Sequence, residues 1–274
     1  MRAFTKTLFA FSLIAIGACG PTPPTGVGGA GGGGNPGPNT RPGCFGPNKT
    51  VVVGDSYISW ISHTLPSDLQ RESGQIWNHY AVGGSSIASG GITGLIPQQL
   101  ETAIAQLGTF NTVVFDGGGN DVLICDELKY PGCNTCKNSP TAPTLPVCQR
   151  IVDDALAAAT RMTERAKQVG VKDMVYFFYP DVPTGTLIGG ASPNEINTYG
   201  LNKAKALCDS AYAILQVRCH FVDMRPTFQG HPEYFALGDI HPSPLGSAAM
   251  AKTIWGKMKT DCVSQPSSAG CCDP

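Results

Sequence analysis

Charge is scarce in this chain. Asp, Glu, Lys and Arg together make up 14% of the residues, against about a quarter in ordinary soluble domains. Such a low share suits an exported, small-residue-rich protein better than a cytosolic one. The 19 basic side chains are balanced by 20 acidic ones and form no basic cluster, so nucleic-acid binding has no electrostatic footing. Long hydrophobic runs are missing too. The apolar stretch Leu8–Ile16 is too short to span a bilayer as a stable helix. No serine stands in a Gly-x-Ser-x-Gly frame, which removes the nucleophile elbow of the α/β-hydrolases. Internal repeats are absent as well.

Glycine, proline and cysteine are plentiful instead. Residues 20–43 are almost entirely Gly, Pro, Thr and Asn, including Gly31-Gly32-Gly33-Gly34. Nothing there can bury apolar surface, so a flexible tether is expected. Ahead of it, a short basic start, the apolar run and Gly17-Ala18-Cys19 have the layout of a secretory signal over residues 1–19. Ile16-Gly17-Ala18-Cys19 also resembles the lipobox of bacterial lipoproteins. That resemblance implies acylation of Cys19 and a lipid anchor in a bacterial membrane, with the chain facing the periplasm or the cell exterior.

Setting Cys19 aside, the 11 cysteines leave an even ten, consistent with disulfides formed in an oxidising compartment. Cys125, Cys133, Cys136 and Cys148 cluster in a Pro- and Asn-rich insertion at about 125–148. Four such thiolates could bind zinc, but disulfides that staple a coreless loop fit an exported protein better. Cys208 and Cys219 read as a local pair. Cys44, Cys262, Cys271 and Cys272 stand at the two ends of the domain, where they could tie its termini together.

Residues 44–274 number about 230, enough for one α/β domain with a sizeable core. Strand and helix patterns alternate along it. Val51-Val52-Val53 is a short β-branched run suited to a buried strand. A helix is predicted from about Tyr57 to Arg71, interrupted near Pro66, and then a strand over about Ile76–Val82. Ile96, Leu100, Ala103, Ile104 and Leu107 recur at helical spacing, and Thr112–Asp116 reads as the third strand. Ile151, Ala155, Ala159, Met162, Ala166 and Val169 mark a long amphipathic helix that stops at Gly170. Met174–Tyr179 is another buried strand. Ser192-Pro193-Asn194-Glu195 forms a capping box for the next helix. Cys219–Val222 is a short final strand, and Ser243-Pro244 caps the last helix. Such alternation predicts a parallel sheet with helices on both faces.

Four stretches carry candidate chemistry. Gly54-Asp55-Ser56 ends the first strand, where ligands of open α/β sheets bind. Tyr80-Ala81-Val82-Gly83-Gly84-Ser85-Ser86 follows the second. Phe115-Asp116-Gly117-Gly118-Gly119-Asn120-Asp121 closes the third, and Gly238-Asp239-Ile240-His241-Pro242 precedes the last helix. Each alone is ordinary turn chemistry. As an ordered set over roughly residues 50–258 they resemble the GDSL or SGNH hydrolase family. The resemblance implies a three-layer α/β sandwich of flavodoxin-like, SGNH-hydrolase architecture with a central, mainly parallel sheet. It implies a serine esterase acting on lipid, carbohydrate or small acyl esters, without metal or cofactor. Ser56 would be the nucleophile and His241 the base. The backbone N–H groups of Ser56 and Gly84 and the Asn120 amide would be the oxyanion donors, with the following helix N-terminus aiding Ser56.

His231, in a loop before Pro232, is the one serious rival base. The family's acid stands three residues before the histidine, and here that position is Gly238. Asp239 stands two before. In an extended segment it would share a side with His241 and could orient the ring; in a turn it would face away, leaving a backbone carbonyl or another carboxylate to do so. Two other functions remain open: a tethered surface-binding protein on the same fold with an idle serine, and a metallophosphoesterase using Asp55, Asn120, Asp239 and His241. The latter would ordinarily need several histidine ligands, and one of the five in this chain is well placed. The loop Tyr179-Pro180-Asp181-Val182-Pro183 and the cysteine insertion are expected to shape the substrate pocket.

Overall fold

Three consecutive β-branched residues lose little by being extended and gain much by being buried. Val51, Val52 and Val53 are accordingly wholly buried, on a strand with neighbours on both sides. A computed structural model describes residues 50–61, 63–183 and 193–263. The predicted signal, Cys19, the tether, Cys44, Cys271, Cys272 and the capping Ser192 lie outside the described residues.

In chain order the elements are β1 (Thr50–Val53), β2 (Ser59–Trp60), β3 (His63–Thr64), α1 (Leu65–Ser73), β4 (Asn78–His79), α2 (Ile96–Leu107), β5 (Thr112–Phe115), α3 (Gly119–Leu123), α4 (Pro146–Gln168), β6 (Asp173–Phe178), α5 (Pro193–Leu215), β7 (Arg218–Asp223), α6 (Arg225–Phe228) and α7 (Pro244–Thr260). Five strands form one sheet in the order β4-β1-β5-β6-β7, and every neighbouring pair is parallel. Helix α1 packs on α7, while α4 packs on α2 and α5. The result is a three-layer α/β sandwich. Among the described residues no helix is long and apolar enough to cross a membrane.

The predicted helix from Tyr57 is not formed. Residues 56–58 make a turn, β2 and β3 pair as a small antiparallel hairpin, and the helix starts only at Leu65. Tyr57, Ile58 and Trp60 are aromatic or β-branched, poor helix formers, and Pro66 sits comfortably in the first helical turn instead of interrupting it. The strand predicted over Ile76–Val82 shrinks to two residues at the sheet edge, although Tyr80 and Val82 N–H still donate to the Val52 and Gly54 carbonyls. The long helix begins at Pro146, before its apolar stripe.

The insertion is stapled by Cys125–Cys133 and Cys136–Cys148, and Cys208 is joined to Cys219. The four insertion thiols are thus consumed as disulfides. Around them lies a small second core of Val122, Tyr130, Ala142, Ile151, Val152 and Ile196, which connects the insertion to α3, α4 and α5. Cys136 and Cys148 close a loop with a sequence separation of 12. Replacing both by serine should lower unfolding stability by about 2–3 kcal/mol. Urea unfolding of the double variant tests this; an unchanged midpoint would mean that the small core holds the insertion without its staple.

Candidate active site

Directly after β1, the chain passes so close to β5 that a side chain is excluded. A Cβ on Gly54 would stand 2.0 Å from Asp116 Oδ1 and 2.4 Å from Ile58 Cδ1, and φ is +153°. Only glycine fits there. The Gln99 side chain clasps the same residue, accepting from Gly54 N–H at 2.7 Å and donating to its carbonyl at 3.0 Å. Beyond it the backbone turns: Ile58 and Ser59 N–H donate to the Asp55 carbonyl at 3.2 and 3.1 Å. This turn presents Ser56, 6% exposed, at the carboxyl edge of the sheet.

His241 meets Ser56 there, with Nε2 2.9 Å from Ser56 Oγ. Its Nδ1 is 2.8 Å from Asp239 Oδ1. The ring is covered on one face by Trp60, whose indole stacks on it at 3.6 Å between centroids and 11° between planes. Trp60 lies in the segment for which the sequence predicts helix, where nothing marks it as a neighbour of His241. His231, the rival, instead stacks on Tyr234 and bonds Glu233. His220 is held by Asp173 and Asp261.

The segment bearing the acid is not extended. It turns at Leu237 and Gly238, with φ +70° at Gly238, and Asp239 N–H donates to the Ala236 carbonyl at 3.0 Å. Even so, Asp239 does not face away. Its short side chain folds back over its own backbone, and Oδ1 accepts from Ile240 N–H at 2.6 Å as well as meeting the imidazole. The turn is closed by a bridge between Phe235 and Pro242.

Asn120 opens α3. One hydrogen of its Nδ2 goes to the Ser85 carbonyl at 2.9 Å, which leaves the second for a ligand. Beside it, Asp121 receives the N–H groups of Ile87, Ala88 and Ser89, each at 2.9 Å, so α3 is pinned to the loop after Gly84. Val82-Gly83-Gly84-Ser85 is a tight turn closed by Ser85 N–H to the Val82 carbonyl, with φ +83° at Gly84, the position a type II turn reserves for glycine. The Cα of Gly83 lies against Ser56: a Cβ there would be 3.7 Å from Ser56 Cβ. Ser56, Asn120, Ile240 and Tyr179 line one cleft that runs between α3, α4 and α5. Gly84 is not among the residues that line it.

Beneath Ser56 lies a pair of buried carboxyls, Asp55 and Asp116, which the sequence pattern does not bring together. Asp55 N–H donates to Asp116 Oδ1 at 2.8 Å, while Asp55 itself accepts from Tyr57 N–H at 2.9 Å and from the Tyr179 hydroxyl at 2.7 Å. Asp55 thus turns its carboxylate inward, not toward Asp239 as a shared metal site would require. Burial, then the Asp55 charge, pushes the Asp116 carboxyl well above the usual range. Burial also raises Asp55, opposed by its hydrogen bonds from Tyr57, Asp116 and Tyr179. Both carboxyls are raised, Asp116 further than Asp55, so Asp116 is the one that holds its proton more firmly. An Asp with a raised folded pKa stabilises the fold fully only below its unfolded value of about 3.9, and the contribution is lost as pH rises toward the folded value. Asp116→Asn keeps the acceptor for Asp55 N–H and removes that titration. As pH rises above about 4 the variant should lose less stability than the parent, read as urea midpoints; parallel profiles would assign the pH dependence to other groups.

No protein-family model matches the sequence, and no curated protein matches it. Solved structures do. A carbohydrate acetylesterase family member from Sinorhizobium meliloti superposes with a TM-score of 0.53 at 14% identity, over 77% of this chain and 97% of that one. An extracellular lipase from Streptomyces rimosus gives a TM-score of 0.52 at 14% identity, over 76% of this chain and 98% of that one. At such identities the likeness speaks for architecture alone, and together with the five-stranded parallel sheet it establishes that architecture: the chain has the SGNH-hydrolase fold.

Proposed function

We propose that the chain is an ester hydrolase working through a covalent acyl-Ser56 intermediate. The observation that carries this reading is the continuous line Asp239–His241–Ser56, with 2.8 and 2.9 Å between successive polar atoms. Hydrogen bonds of that length satisfy the geometric demand on a nucleophile, its base and the group that orients the base. The resemblance to an acetylesterase and a lipase of the same fold supports the reaction class.

In this mechanism Ser56 Oγ attacks the ester carbonyl as its proton passes to His241 Nε2. Asp239 holds the proton on Nδ1 and stabilises the imidazolium, the part of the orienting acid. The carbonyl oxygen, now an oxyanion, takes the second Asn120 Nδ2 hydrogen and the backbone N–H groups of Ser56 and Gly84. Collapse expels the alcohol with the proton from His241, and water repeats the cycle to release the acid. Secretion and a lipid anchor at Cys19 complete the proposal, on the strength of the signal-like and lipobox-like residues; Cys19→Ser should then release activity from membranes.

Ser56→Ala should abolish ester turnover with the fold intact, and an organophosphonate should label Ser56 alone. Label on Ser85 or Ser86, or turnover surviving in the variant, would remove the assignment. Asn120→Ala should lower kcat by about 10²–10³-fold with KM little changed, whereas a pure KM effect would make Asn120 a binding residue. Asp239→Asn should cost several orders of magnitude in kcat; near-parental turnover would show that another group orients the ring.

A further inference from the structure

The cleft beside Ser56 has two unlike ends. At one end stand Ser56 and Asn120; toward α4 and α5 its walls are Val122, Val152, Leu156, Phe178 and Ile196, with the small residues Ala155 and Gly200 beside them. Among the described residues, the tyrosine hydroxyls and the Asn197 amide hydrogens on these walls are already bonded within the protein. The Tyr179 hydroxyl serves Asp55 and Gly119 N–H, and the Tyr176 hydroxyl donates to the Gly117 carbonyl at 3.0 Å. Tyr57 donates to the Ile240 carbonyl, and Asn197 Nδ2 is turned to the Tyr179 and Pro180 carbonyls. A sugar ring placed here would leave its hydroxyls without partners, a costly desolvation. A hydrocarbon chain would lose nothing.

The position of the base decides which half of an ester enters. The leaving alcohol must take its proton from His241 Nε2, so the alcohol lies on the His241 side of Ser56. His241 and Trp60 are not among the residues that line the cleft, whereas Ser56 and Asn120 are. We infer that the cleft between α4 and α5 is an acyl-chain site, and that the preferred substrates are esters of medium-chain, unbranched fatty acids and not acetyl esters. This rests on the acyl-Ser56 reading above.

The test is kcat/KM for p-nitrophenyl acetate, butyrate, hexanoate and octanoate, set beside ethyl, butyl and hexyl acetate. Burial of one methylene is worth about a fourfold change, so kcat/KM should climb several-fold for each added acyl carbon until the cleft is filled, with a flat response to alcohol length. Ala155→Phe and, independently, Leu156→Trp should each reduce the octanoate-to-acetate ratio of kcat/KM by at least about tenfold. Acetate as the best acyl group, a length response confined to the alcohol series, or an unchanged ratio in both variants would overturn the acyl-chain site while leaving the esterase reading in place. Failure of every ester, together with no organophosphonate label on Ser56, would overturn both.

Discussion

The active edge of this molecule depends on how closely β1 approaches β5. Val53 is paired with Phe115, so the next residues, Gly54 and Asp116, face each other where the strands end. A hydrogen in place of a Cβ at residue 54 allows the Asp116 carboxyl to lie under the chain and accept Asp55 N–H. Asp55 is thereby aimed inward and Ser56 outward. The network then spreads: Asp55 holds Tyr179 at the end of β6, and the Tyr179 hydroxyl holds Gly119 N–H at the start of α3, one residue before Asn120. A second arm runs through Gln99, which joins Gly54 to Ser85 Oγ. Three separate strand ends are thus locked into one constellation by groups outside the Asp239–His241–Ser56 line.

Burying two carboxyls together is expensive unless one is neutral. Burial raises both carboxyls, Asp116 further than Asp55, and Asp55 is the one coupled electrostatically to His241. An acid at residue 55 therefore does more than terminate a strand. It couples the backbone turn that presents Ser56 to the electrostatics of the base, without occupying the position that contacts the ring.

Much of this was legible in the sequence, for reasons that can be named. Alternating apolar periods identify the layers because they are local consequences of burial. Val51–Val53, the stripe from Ile96 to Leu107 and the capped helix at Ser243 are all readable without tertiary knowledge, and Ser243 Oγ does accept from Gly246 N–H at 3.2 Å. The hairpin bearing Trp60 was not legible, since its two-residue strands are too short to show a period. Its value lies in a contact with a residue 181 positions away, Trp60 against His241. Gln99 left a fainter trace: it interrupts the apolar stripe of α2 between Ile96 and Ala103 yet is buried. A glutamine on a buried helical face must have hydrogen-bond partners, and that signal could have been used.

The Asp239 geometry shows where reasoning from backbone period alone breaks down. Period-two logic supposes that side chains leave an extended chain at right angles, so an acid two residues from the base faces it only in a strand. Here a left-handed Gly238 bends the segment, and the Asp239 carboxylate returns to the Ile240 N–H at 2.6 Å and, at 3.4 Å, to the His241 N–H two residues on, the reach of an Asx turn. That local bond carries Oδ1 to within 2.8 Å of Nδ1. The same bond restrains the rotamer of the acid before the imidazole is considered, and Trp60 restrains the imidazole from its face. A spacing shorter by one residue is thus compensated by a turn that fixes the acid more firmly than an extended strand would, because the carboxylate is held by backbone as well as by the ring.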